Sequence, residues 1–148
     1  MKISMTDITN KSIMHREAIA YGKINLREET IKKIKNKQIK KGDPIQISII
    51  AGINAAKMTS QLMPLCHNIG IEEINITPTI KKTHIELLAR VKSSEKTGLE
   101  MEALTAVTTA LLNIWDITKQ YEKNKDGQYP TTAITEIKIL KKMKKKIE

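Results

Sequence analysis

From Leu104 to Trp115 the chain carries no charged side chain, and between Ala103 and Ile114 apolar or small residues cover nearly every face a helix would present. A helix of that kind is buried on more than one side. A sheet covers only one side, so the remaining faces must meet something else, and an identical subunit is the simplest candidate. The stretch then ends in Asp116 and Lys119, three residues apart and on one face. Glu100 and Glu102 stand at its start and Lys119 near its end, where the helix dipole favours acids and bases respectively. Asp116 works against that dipole. A surface ion pair worth about a few tenths of a kcal/mol would explain it. Two chemical groups held at the rim of a site are the sharper alternative, which the residues alone favour less than the ion pair.

The neighbouring segments give this helix a setting. Residues 17–26 (EAIAYGKINL) alternate Ala18, Ala20, Gly22, Ile24 and Leu26 with polar or larger neighbours, as a strand does. REETIKKIKNKQ follows with acids early and lysines late, the order a helix dipole favours. DPIQISII alternates Ile45, Ile47 and Ile49 and reads as a strand, and AGINAAKMTSQLM reads as a helix stopped by Pro64. IEEINITPTI and HIELLARVKS are two strands joined by Lys81, Lys82 and Thr83 in a hairpin. The long helix runs from about Gly98 to Glu122, NKDGQYPTT is a loop, and AITEIKIL closes the chain as a strand. From residue 44 onward the order is βαββαβ, a ferredoxin-like α+β pattern with an additional βα unit in front. No repeat, linker or composition break divides residues 1–148, so a single domain is expected.

Composition narrows the functional classes. No run approaches the roughly eighteen apolar residues of a membrane span. The opening MKISMTDITNK lacks the apolar core of a secretory signal. Cys66 is the only cysteine, which excludes an internal disulfide and fits a reducing compartment, so a cytoplasmic protein is expected. The 26 basic residues against 16 acidic ones give a net charge of +10, with twelve lysines in residues 31–41 and 138–146. Clustered lysine attracts phosphate, whether as nucleic acid, nucleotide or phosphorylated metabolite, although a lysine-rich solvated surface looks the same in sequence. A basic βαββαβ domain also suits RNA binding, which stacks bases on strand aromatics. This chain has no Phe, and Tyr21, Trp115, Tyr121 and Tyr129 are expected to avoid those strand positions.

Three further places invite a chemical reading. Lys57 sits inside an otherwise small and apolar helix, and Cys66-His67 follows the break at Pro64. A Cys beside a His suggests a metal ligand pair, a thiol with its base, or a polar turn that holds a ligand. Adjacent side chains in extended backbone point apart, and no C-x-x-C or H-x-x-x-H spacing supplies further ligands, so no metal site is expected. Neighbours in sequence also seldom meet as nucleophile and base. A buried cysteine and a capping histidine remain the plain alternative. Lys40 and Lys41 stand in a turn before residue 44, and composition alone makes them solvated lysines.

Taken together, KKGD, AGINAAKMTSQLMPLCHNI, EKTGLEMEALTAV and WDITK, in this order and at these separations, resemble the molybdenum cofactor biosynthesis protein C family, the cyclic pyranopterin monophosphate synthases. MTDITNKSIMHREAIAYG also looks like that family's start, and the resemblance covers roughly Met5 to Leu140. It implies conversion of (8S)-3′,8-cyclo-7,8-dihydroguanosine 5′-triphosphate to cyclic pyranopterin monophosphate with release of pyrophosphate, a step of molybdenum cofactor synthesis. It implies ferredoxin-like subunits in a homohexamer, a trimer of dimers with active sites at subunit interfaces. By the family's motifs, Asp116 and Lys119 are catalytic. Substrate binding falls on Leu65, Cys66 and His67, on Met101 and Glu102, on Lys41 of the KGD turn, on Arg16 and on Lys57. Lys142 aligns with the first lysine of the family's tail, but LKKMKKKIE replaces the usual Ser-Gly-Gly-Lys-Ser-Gly-like ending. NKDGQYPTT looks like the archaeal form of its loop.

The implied substrate is a small molecule of about four negative charges, and its conversion moves protons without redox change. Such chemistry needs positioned acid–base groups and a cluster of cations. Lys41, Lys57, Arg16 and Lys142 are expected on the phosphates, and Glu100, Glu102 and His67 on the guanine-derived ring. No cofactor motif is present; Mg²⁺ enters, if at all, only with the triphosphate. One geometric consequence stands apart from the resemblance. Glu102 and Asp116 are fourteen residues apart, on nearly the same helix face, and roughly 21 Å apart at 1.5 Å per residue. Either they serve different sites, or each site takes Glu102 from one chain and Asp116 from another.

Overall fold

Every second residue from Arg16 to Ile24 is buried, and so is every second residue from Ile85 to Ser93. That period of two gives two strands with one dry face each, and those faces need a cover. A computed structural model, which describes residues 1–148, shows what covers them. The chain runs β1 (Met14–Asn25), α1 (Glu28–Lys35), α2 (Pro44–Lys57), α3 (Thr59–Leu62), β2 (Glu73–Ile80), β3 (His84–Glu95), α4 (Glu100–Glu122) and β4 (Ala133–Lys145). The sheet has the order β2-β3-β1-β4, with every neighbouring pair antiparallel. Helix α4 lies across β1 and β3, and α2 packs beside it and against β2. No helix is long and apolar enough to cross a membrane.

The α+β, ferredoxin-like reading holds, with one correction to its boundaries. Residues 44–50, expected as a strand, are the first half of α2. The Asp43 carboxylate accepts from the backbone N–H of Ile45 at 2.9 Å and of Gln46 at 3.3 Å, and Pro44 occupies the first helical position. Both are helix-start signals, and they prevail over eight residues in which isoleucine happens to alternate. β1 is therefore the first strand of the βαββαβ unit, and α1 is an insertion in its first crossover. There is no additional βα unit in front.

The same correction changes the argument about the long helix. α2 supplies the second cover that a sheet alone does not provide. Gly52 makes the approach close: a Cβ there would meet Ile76 Cδ1 at 2.4 Å and the Ala106 carbonyl oxygen at 3.0 Å. Apolar surface nevertheless stays uncovered, with Ile50 60% and Leu112 54% exposed.

At its far end α4 is braced by Glu122, whose side chain is fully buried. Its carboxylate accepts from the Arg27 backbone N–H at 3.0 Å, from the Thr132 hydroxyl at 2.6 Å and from the Thr30 hydroxyl. A buried carboxylate with three donors is satisfied, and it ties α1, α4 and the start of β4 together. β4 runs past Leu140, the expected end of the last strand, as far as Lys145. Pairing with β1 carries the lysine run, and lysines on an edge strand discourage pairing with other sheets.

Tyr21, expected to avoid the strand positions where base-stacking aromatics would stand, is on central β1, on the face opposite the helices. Its hydroxyl donates to Glu86 at 3.2 Å, and no second aromatic stands on any strand beside it. A base-stacking pair is therefore missing.

Candidate active site

The functional side chains fall into two groups, one at each end of α4. At the C-terminal end, Asp116 Oδ1 lies 3.0 Å from the Lys119 ammonium and 3.8 Å from that of Lys41. The i, i+3 spacing on α4 explains the first contact. The second crosses from the turn that precedes α2, which Gly42 closes at a φ of +126°. Lys41 also approaches the Asp116 backbone oxygen at 3.5 Å. The hydrogen bond from Lys119, with the charge of Lys41 next in weight, holds the Asp116 carboxyl below its ordinary range. This acid is therefore ionised at neutral pH. All three side chains are about half exposed, at 55% for Asp116, 42% for Lys119 and 45% for Lys41. The loop at 124–132 folds back on α4, with the Tyr129 ring edge-on to Trp115 at 5.1 Å.

At the N-terminal end of α4 lies a cleft of about 330 Å³ walled by Leu65, Cys66, His67, Glu100, Met101 and Glu102. A smaller hollow of about 220 Å³ shares His67 and Glu102 and adds Lys57. Glu102 is only 4% exposed. Burial, and then the charges of Glu100 and Glu95, push its carboxyl above the ordinary range, although a hydrogen bond from its own backbone N–H pulls the other way. Burial acts against ionisation of Glu100 too. There the Lys142 ammonium, 2.5 Å away, the Glu100 backbone N–H and the Arg16 charge together outweigh it and lower the pKa. Burial, and next the Glu102 charge, push the Cys66 thiol up, so it stays protonated at neutral pH and forms a wall of the cleft. No group of three His, Cys, Asp or Glu side chains is placed to hold a metal ion.

Arg16 is buried, with its guanidinium donating to the Glu95 carbonyl at 3.0 Å and to the Lys96 carbonyl at 3.2 Å. With Lys142 it opens onto a third, larger hollow of about 770 Å³ at the end of the sheet, where Lys92, Lys144 and Lys145 also stand. The structure thus gathers Leu65, Cys66, His67, Met101, Glu102, Glu100, Lys57, Arg16 and Lys142 toward one end of α4. Asp116, Lys119 and Lys41 gather at the other.

Several participants were not legible in sequence. Thr6, Ile8 and Lys11 wall the Cys66–Glu102 cleft, because the N-terminal segment folds over it. The Thr6 carbonyl oxygen lies 2.8 Å from His67 Nε2 and accepts a hydrogen bond from it. The Thr9 carbonyl accepts from Lys96 at 3.2 Å. Asp7 and Thr9 form a local turn, and that Asp-x-Thr pattern was the one signal available. It announces a turn but not the cleft it lies against.

The model of the MoaC family matches residues 5–145. The chain is 49% identical to a probable cyclic pyranopterin monophosphate synthase of Sulfurisphaera tokodaii, over 95% of this chain and 93% of that one. It is 48% identical to the protein of that name in Sulfolobus acidocaldarius, covering 95% and 98% of the two chains. The protein of that name in Pyrococcus abyssi is 46% identical, over 96% of this chain and 89% of its own.

Proposed function

The chain belongs to the MoaC family, and we propose that it is a cyclic pyranopterin monophosphate synthase of molybdenum cofactor biosynthesis. It converts (8S)-3′,8-cyclo-7,8-dihydroguanosine 5′-triphosphate to cyclic pyranopterin monophosphate and pyrophosphate. The reaction opens the imidazole ring by hydrolysis, closes a new C–N bond that returns the water, and closes a cyclic phosphate as pyrophosphate leaves. Protons and a phosphoryl group move and no electrons are gained or lost, so no resident cofactor is assigned.

One observation carries the catalytic assignment: a single carboxylate, Asp116, with ammonium groups at 3.0 and 3.8 Å. Held ionised by those cations, Asp116 accepts a proton, and Lys119 supplies one or stabilises developing negative charge. Lys41, Lys57, Arg16 and Lys142 take the phosphates. Glu102, whose carboxyl is pushed above its ordinary range by burial, holds or protonates the guanine-derived ring beside His67, while Leu65, Cys66 and Met101 shape the cleft. Glu100 holds the Lys142 ammonium until substrate arrives.

A complete site then needs two chains, because Glu102 and Asp116 lie roughly 21 Å apart along one helix. An assembly of identical subunits, a homohexamer built as a trimer of dimers, brings the Asp116 end of one α4 to the Glu102 end of another. The exposed Ile50 and Leu112 give such contacts apolar surface. The lone cysteine suits residence in the cytoplasm. The test is to supply the cyclised nucleotide and detect pyrophosphate and the pterin. Product from the natural protein but not from Asp116→Ala supports the reading. RNA retention on a filter without turnover would end it.

A further inference from the structure

We propose that Tyr121 is a positioning residue: its hydroxyl holds the backbone of Lys40 and thereby sets where the Lys41 ammonium stands relative to Asp116. This inference rests on the assignment of Asp116 as the proton acceptor. Lys41 occupies an exposed turn, and a lysine side chain has four torsions to lose before its charge is fixed. The turn must therefore be anchored close by. One anchor is internal, the Gly42 N–H to the Ile39 carbonyl at 3.2 Å, with Ile39 buried in the core. The one hydrogen bond from the backbone of residues 40–41 to α4 runs from the Lys40 N–H to the Tyr121 hydroxyl, at 2.9 Å.

Tyr121 is well placed to be that fixed point. Its ring packs on the core and has only two torsions, and the Lys33 ammonium sits 5.4 Å from the ring centroid. Its own carbonyl accepts from Arg27 at 2.9 Å, and the next residue is the buried brace Glu122. The phenol thus transmits the position of a braced helix end to the turn that carries Lys41. The simpler role, ring packing alone, is separable by experiment because Tyr121→Phe keeps the ring and removes one oxygen.

The experiment compares the natural protein, Tyr121→Phe, Lys41→Ala and the double variant. It follows the Asp116 carboxyl by NMR titration without ligand, and kcat/KM for the cyclised nucleotide against pH. Lys119 and Lys41 are the cations that face this carboxylate. With Lys41 adrift, the Asp116 titration moves up toward the ordinary carboxylate range in Tyr121→Phe. The acid limb of kcat/KM follows it, and kcat/KM falls about fivefold, the weight of one hydrogen bond. In the Lys41→Ala background the Tyr121 change adds nothing to the titration, because the pathway runs through Lys41. An unmoved titration in Tyr121→Phe, or an equal loss of turnover with and without Lys41, would overturn the positioning role. A titration that moves while turnover does not would leave the latch standing and overturn the catalytic assignment of Asp116.

Discussion

Asp116 and Glu102 are both carboxylic acids on one helix, and their surroundings push them in opposite directions. Asp116 stands half in water between two ammonium groups and is held ionised. Asp116→Asn is expected to lower kcat by about 10²–10⁴, the weight of a positioned acid–base group, with an unchanged melting temperature because the side chain is exposed. In the natural protein the acid limb of kcat/KM should lie below the ordinary carboxylate range, the direction in which the lysines move this group. Glu102 is buried and its pKa is raised. A raised folded-state pKa adds stability that is fully present below the unfolded value and is lost as pH rises through the folded one. Glu102→Gln, always neutral, should therefore melt close to the natural protein in acid and above it at mildly alkaline pH, while its turnover falls. Melting curves at the two pH values check the sign, and a Gln variant that melts lower at alkaline pH contradicts it. The identities of these residues could be read from motifs, but their charge states could not. Burial of Glu102 and the second cation on Asp116 depend on segments distant in sequence, namely residues 65–69 and the turn at Lys41.

Among the elements, β1 and the β2–β3 hairpin were legible because their strands alternate over eight or more residues, and α4 because it runs without a charge from Leu104 to Trp115. The start of α2 was not, since Ile45, Ile47 and Ile49 fit a strand and a helix equally over so short a window. Asp43-Pro44 was the better guide, because a cap acts on backbone N–H groups whatever the side-chain pattern. The lysine run of β4 also misled, as pairing with β1 overrides the low strand preference of lysine. Two changes test the packing that results. Gly52→Val should cost about 2 kcal/mol or more, because α2 must move off Ile76 and Ala106 to admit the side chain. Glu122→Ala should cost about 3 kcal/mol by stranding the Arg27 N–H and the hydroxyls of Thr30 and Thr132. Urea unfolding measures both, and values near zero would show that these contacts do not hold α4 in place.

At the scale of the whole molecule, α4 separates two groups of polar side chains, one at each end. Its first turn presents Glu102 to a cleft roofed by the N-terminal segment, and its last turns present Asp116 and Lys119 beside Lys41. No bend in a braced helix brings those ends together, so on the proposed reading a complete site takes one end from each of two copies. The lysines, spread along the sequence, divide between the two ends, and that grouping was invisible until the topology was known. Complementation tests the shared site most directly. Asp116→Asn and Glu102→Gln chains, each inactive alone, are co-expressed in equal amounts, and pyrophosphate release from the cyclised nucleotide is measured. Random assembly of shared sites leaves about a quarter of them with both natural residues, so about a quarter of the natural activity should return. Mixed assemblies that form but stay inactive would contradict the account.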